Sequence, residues 1–211
     1  MLLNVIQEIN LLWSPVYPYL ARHIHELYGR QDGHILDIGP FSGVIFDLQK
    51  KKIGDSFSIA TFPQGMGEFF LQEAKRQNLE NKIEVLETDP SLTGVEGNSI
   101  DLAVFRGAFF FPSLFEVNLP RIYQALKPDG MAFVGGGFGK FTPDPVIKDI
   151  GKRSRDLNLK MGKIEVKEEN LRREIRDLRL KGDLRVITEG GLWVGMKKKG
   201  VTCNPLHSNQ K

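Results

Sequence analysis

At 211 residues the chain is long enough for one domain with a full core. A hydrophobic share of 41% beside 26% charged residues excludes a disordered or membrane-embedded class. A net charge of +3, with Lys and Arg dispersed, is too mild to imply nucleic acid. The one cysteine, Cys203, excludes an internal disulfide, and Cys203 with His207 in a short polar tail reads as incidental rather than as a metal-ligand pair.

In chain order, residues 1–30 carry helical periodicity, Leu2 to Trp13 and then Tyr17 to Tyr28, and predict an N-terminal helical cover. Asn4, Glu8 and Asn10 interrupt the first run and no basic stretch precedes it, so a secretory signal is not expected and the expected location is the cytoplasm. From residue 31 to 199 apolar strand-like runs alternate with amphipathic helices. Strands are expected near 34–38, 56–61, 83–87, 100–105 and 131–136, with helices near 43–52, 66–77, 114–126 and 144–158. Lys127-Pro128-Asp129-Gly130 reads as the turn into the fifth strand. The 163–181 region spaces Ile164, Leu171, Ile175 and Leu178 for a helix on the sheet with a solvated outer face. Leu184 to Thr188 and Leu192 to Met196, joined by Glu189-Gly190-Gly191, predict a terminal hairpin, and 200–211 reads as a frayed tail. The fold class is therefore α/β: a doubly wound, mostly parallel sheet with helices on both faces and an antiparallel C-terminal hairpin strand.

The most informative stretch is His34-Ile35-Leu36-Asp37-Ile38-Gly39-Pro40-Phe41-Ser42-Gly43. An apolar strand ending in an acid breaks into a glycine turn before a helix, which makes a nucleotide-sized cradle. Gly39 and Gly43 fit a Gly-x-Gly-x-Gly loop. The dinucleotide pattern would require glycine at Phe41 and Val44 and finds neither, so a single adenosyl ligand is favoured over a nicotinamide dinucleotide.

Together these pieces resemble the class I S-adenosylmethionine-dependent methyltransferases, in the small-molecule branch with an N-terminal helical cover. The resemblance spans residues 12–197. It rests on Ile35 to Gly39 with Gly43, on Ile83 to Asp89, on Ser99 to Val104, and on Tyr123-Gln124-Ala125-Leu126-Lys127-Pro128-Asp129-Gly130-Met131, the most specific block. It implies a Rossmann-like methyltransferase fold of seven strands and S-adenosylmethionine as cofactor. Gly39, Pro40, Phe41, Ser42 and Gly43 would cup its ribose and methionine portion, with Asp37 orienting the loop or the amino group. Thr88 and Asp89 would lie beside the adenine, Arg106 and Gly107 under the methionine part, and Tyr17 over the cofactor. The implied partner is a small-molecule substrate; a homodimer is a possible assembly, and charge, composition and cysteine usage lead to no expectation of nucleic acid, membrane or metal.

Two departures from the family pattern stand out. The run Phe57-Ser58-Ile59-Ala60-Thr61-Phe62-Pro63 lacks the acid that takes the ribose hydroxyls at the end of the second strand, a contact worth ~1.5–3 kcal/mol. Phe41 replaces the middle glycine. They define an alternative: a non-catalytic or degenerate adenosyl-binding relative. Phe105 and Phe109-Phe110-Phe111-Pro112 are read either as walls of the cleft or as core. Gly135-Gly136-Gly137-Phe138-Gly139 is read either as the acceptor side of the cleft or as a flexible connector. Methyl transfer needs positioning more than acid or base, and no catalytic residue is named: His23 and His25 read as partly exposed, on different helix faces, and His34 as turned away from the cleft.

Overall fold

A computed structural model describes residues 2–200. Helices α1 (Leu2–Trp13) and α2 (Tyr17–Tyr28) precede β1 (His34–Ile38), α3 (Val44–Lys50), β2 (Ser56–Thr61), α4 (Met66–Arg76), β3 (Glu84–Glu87), β4 (Ile100–Arg106), α5 (Leu119–Ala125) and β5 (Leu126–Gly136). Then come α6 (Asp144–Lys160), α7 (Glu168–Asp177), β6 (Gly182–Ile187) and β7 (Leu192–Lys198). The strands form one seven-stranded sheet in the order β3-β2-β1-β4-β5-β7-β6. Pairs from β3 to β5 are parallel, and β7 runs antiparallel to both β5 and β6. The expected doubly wound sheet with its terminal hairpin is what the chain forms.

Burial follows this order. β4 is buried along its whole length and β1 from Ile35 onward, as central parallel strands covered on both faces must be. At the edge, β3 exposes Glu84, Leu86 and Glu87, charges that discourage further strand pairing. Asp101 ties the two central strands together, accepting from the His34 N–H at 2.8 Å and from Lys127 Nζ at 2.6 Å. In the N-terminal cover, α1 packs against α6 and α2 against α3. Gly29 closes α2 in the left-handed region at φ 69°, its N–H bonded to the His25 carbonyl, the usual role of glycine beyond a helix end.

Several expectations are corrected. The fourth expected helix starts at Leu119 rather than 114. Asn118 Oδ1 accepts from the Arg121 N–H at 3.0 Å and Pro120 sits in the first turn, so the local signals start the helix there. Residues 127–130 are a bulge inside β5, bracketed by the Ile100–Leu126 and Leu102–Met131 pairings, with Asp129 at φ 64°. The helix expected over 163–181 shortens to α7. Leu171 and Ile175 are buried as expected, but Ile164 is exposed in an extended run whose N–H bonds the Phe110 carbonyl at 2.9 Å. His23 is buried rather than partly exposed. The tail, with Cys203 and His207, lies outside the described residues. Among the described residues no helix is long and apolar enough to cross a membrane.

Candidate functional site

Open parallel sheets bind ligands beyond the carboxyl ends of their strands, where the strand order reverses. Here that point lies between β1 and β4, and the glycine turn 39–43 stands over it. Gly39 has φ 91°, a conformation that favours glycine. Its N–H bonds the Ala60 carbonyl at 2.8 Å, and its own carbonyl accepts from Ser42 Oγ at 2.9 Å and Thr61 Oγ1 at 3.1 Å. Two further bonds clamp the turn: Asn10 Nδ2 donates to the Pro40 carbonyl at 2.7 Å and Arg106 Nε to the Phe41 carbonyl at 3.2 Å.

The Phe41 ring is buried, with its centroid 5.1 Å from that of Phe111. It lies against Gly107, where a Cβ would come within 2.5 Å of Phe41 Cδ2. The bulky residue in the turn is thus matched by a glycine at the end of β4. Gly43 has a comparable partner, since a Cβ there would meet Tyr17 Cε2 at 2.3 Å. That close approach is made by the cover.

Asp37 is fully buried. Its Oδ2 accepts from the Ile45 N–H at 3.2 Å, while Oδ1 has no partner. Burial pushes its carboxyl up to about 8, opposed by the Arg106 charge and the Ile45 N–H, so it is mostly protonated at neutral pH. Burial likewise pushes the Tyr17 hydroxyl up to about 12, against the Arg106 charge.

Arg106 joins the two halves of the site. It is 5% exposed, donates through Nη2 to the Tyr17 hydroxyl at 3.0 Å, and faces the rings of Trp13 at 4.7 Å and of Tyr17 and Phe41 at 5.3 Å. Beside it opens a cavity of about 350 Å³. One wall is Phe41, Arg106, Gly107, Phe110 and Phe111. Gly136, Gly137 and Phe138 form a second, Gly151, Ser154 and Asn158 of α6 a third, and Trp13 and Lys163 also border it. Phe110 and Phe111 are therefore walls. The glycine run after β5 borders the cavity too, and it packs backbone to backbone: a Cβ on Gly137 would lie 2.3 Å from the Gly190 carbonyl oxygen.

On the other side of the turn, side chains fill the space. Phe62, Phe105 and Phe115, all buried, have ring centroids 5.2–5.9 Å apart, and a Cβ on Gly39 would be 2.5 Å from Phe105 Cε2. Thr88 and Asp89 lie beyond β3 in a self-contained turn, away from the cavity lining. Asp89 accepts from the Ser91 N–H and Thr93 Oγ1, both at 2.7 Å, and Thr88 Oγ1 donates to the Thr93 carbonyl at 2.7 Å. The exposed Asp89 carboxyl is lowered first by the Thr93 hydrogen bond.

The turn, Asp37, Arg106, Gly107 and Tyr17 are thus brought together, while Thr88 and Asp89 stand apart. Sequence reasoning missed Trp13, Ser154, Asn158 and Lys163. A signal for two of them was present: Gly151, Ser154 and Asn158 recur at helical spacing as a small, polar stripe on α6.

No family model matches the chain, and no curated protein matches it. Its structure does have close counterparts. A Methanococcus maripaludis protein provisionally regarded as an S-adenosyl-L-methionine-dependent methyltransferase is 25% identical, with 93% of this chain and 92% of that one aligned at a TM-score of 0.76. A SAM-dependent methyltransferase from Aquifex aeolicus is 16% identical over 91% and 96% of the two chains, with a TM-score of 0.61. Geranyl diphosphate C-methyltransferase from Streptomyces coelicolor, solved with S-adenosyl-L-homocysteine, is 12% identical over 86% and 79%, with a TM-score of 0.55.

Proposed function

We propose that this chain, which has the fold of the class I S-adenosylmethionine-dependent methyltransferases, is a methyltransferase that uses S-adenosylmethionine and acts on a small molecule. The observation that carries this reading is the cavity at the carboxyl edge of β4 and β5, bordered by the turn residue Phe41 and by Arg106-Gly107. The methionine end of such a cofactor fits the residues present. Asp37 keeps an unpartnered buried oxygen, and Gly39, Pro40, Phe41 and Ser42 form a turn held by Arg106 and packed against Gly107. Tyr17 packs against Gly43 at the end of the turn and does not border this cavity, so its expected place over the cofactor gives way to a role in holding the turn.

The nucleoside end fits less well. Thr61 stands where an acid would take the ribose hydroxyls, with its hydroxyl spent on the Gly39 carbonyl. The Phe62, Phe105 and Phe115 rings fill the neighbouring space, so an adenosyl group reaches Thr88 and Asp89 only if those rings give way. This packing favours a second reading, a relative of the fold that has lost its grip on the nucleoside.

When bound, S-adenosylmethionine supplies an electrophilic methyl group on a sulfonium. The chain's own part is to orient and to exclude water, which can be worth ~7–11 kcal/mol of a displacement barrier. The Phe41, Phe110 and Phe111 rings present apolar walls suited to both. Among the described residues no carboxylate or imidazole borders the cavity; an acceptor that arrives already nucleophilic, such as a thiolate, needs no protein base there.

Titration with S-adenosylmethionine and S-adenosylhomocysteine, followed by calorimetry and thermal unfolding, tests both readings. Ligand at a hundred times its Kd adds about 2.7 kcal/mol of stability. Binding at micromolar concentration supports the methyltransferase. No response at millimolar concentration overturns it in favour of the second reading.

A further inference from the structure

We infer that the cavity between β4, β5 and α6 takes a small anion with a flat apolar body, its charge met by Arg106 and Lys163. This names the substrate class of the proposed site: the methionine end lies against the turn and Gly107, and the inference rests on reading the rest of the cavity, from Arg106 to Lys163 and α6, as the acceptor's share.

The argument begins with charge. Among the described residues the cavity is bordered by two cationic side chains and by no Asp or Glu. Arg106 is almost wholly buried yet makes no salt bridge among the described residues. The Asp37 carboxyl, which feels the Arg106 charge, is kept mostly protonated by burial and so does not neutralise it. A buried cation without a counter-ion is costly, and an entering anion removes that cost.

Donor supply points the same way. Arg106 uses Nε on the Phe41 carbonyl and Nη2 on Tyr17, and among the described residues Nη1 makes no hydrogen bond. Trp13 borders the cavity with its ring, which backs the Arg106 guanidinium at 4.7 Å. Lys163 enters from the extended run after α6, its ammonium 5.7 Å from the Phe110 ring centroid. Burial and then the Arg106 charge both lower its hold on a proton, a like-charge strain that an anion between the two would relieve.

Shape sets the rest of the ligand. Phe41, Phe110 and Phe111 offer aromatic faces, and a volume of about 350 Å³ suits a ring system rather than a polymer. Carboxylate and phosphate monoester share the required chemistry, and the test separates them.

The full chain, without S-adenosylmethionine, is titrated calorimetrically with 1-naphthoate, 1-naphthyl phosphate and the neutral 1-naphthamide. We expect one of the anions to bind at least tenfold more tightly than the amide, the tighter one identifying the anionic group. Lys163→Met, at a residue exposed as a whole though its ammonium is partly desolvated, is expected to weaken that anion about tenfold, the worth of one charge-assisted contact, and to leave the amide unchanged. Equal binding of anion and amide, no binding of any probe, or an unaffected Lys163→Met overturns the inference. Anion binding without a response to S-adenosylhomocysteine upholds this inference while the cofactor reading fails, and the converse pattern separates them the other way.

Discussion

Arg106 Nη2 and the Tyr17 hydroxyl lie 3.0 Å apart in the buried interior, and this bond fastens the N-terminal cover to the end of β4. Asn10 completes the link: its backbone and side-chain oxygens lie 3.3 Å from the same hydroxyl, and its amide holds the Pro40 carbonyl. Tyr17→Phe leaves a buried guanidinium donor unpaired. It is expected to cost about 1–3 kcal/mol, read as a lower urea midpoint with an unchanged m-value. A loss below about 0.5 kcal/mol would mean that the bond contributes little.

Asp37 predicts a pH dependence. In the unfolded chain its carboxyl releases its proton near pH 4, and in the folded chain at about 8. Between those values the unfolded state binds fewer protons, so this group makes stability fall as pH rises from about 4 to about 8 and level off above. Asp37→Asn keeps an acceptor for the Ile45 N–H and does not ionise. The variant is expected to lose this slope and to exceed the parent at pH 8 by ~1.4 kcal/mol or more, the worth of one pKa unit. Parallel stability curves over that range would refute the assignment.

The ring cluster over Gly39 makes a prediction with two readouts. Phe105→Leu trims the ring that lies closest to the turn and should lower stability by about 1–3 kcal/mol. If the cluster obstructs an adenosyl group, the same variant binds S-adenosylhomocysteine about tenfold more tightly by calorimetry. Unchanged or weaker binding would show that the ring is not in the ligand's path.

Gly137→Ala pushes a methyl group against the Gly190 carbonyl, 2.3 Å from its Cβ position, and the obstacle is backbone that cannot rotate away. The expected result is a loss of about 1–3 kcal/mol together with faster amide exchange at Gly139, whose N–H bonds the Gly190 carbonyl at 2.8 Å. Unaltered exchange would indicate that the hairpin turn adapts.

The strands were legible because each is an apolar run bounded by turn residues, and the terminal hairpin because Gly190-Gly191 separates two such runs. The helix expected from residue 114 misled because Leu114, Phe115 and Val117 imitate helical spacing, although Phe115 instead fills the space over the glycine turn. Gly39 was readable as a turn glycine. Gly43 was not readable as a contact for Tyr17, because the neighbour that needs its missing side chain comes from another helix. Lys163 sat inside an apparently solvated charged helix. Its N–H bonds the Asn158 carbonyl and that of Ile164 the Phe110 carbonyl, which together bring it to the cavity, and no local pattern encodes the second pairing.

The facing backbones of residues 136–137 and 190–191 have an evolutionary consequence. A partition built from main chain alone has no side chain to exchange, so point mutation can hardly reshape it. If the cavity is the proposed ligand chamber, divergence in what it admits is written on its remaining sides, by residues such as Trp13, Phe110, Ser154, Asn158 and Lys163, and homologues that differ in ligand vary there while keeping glycine along the partition.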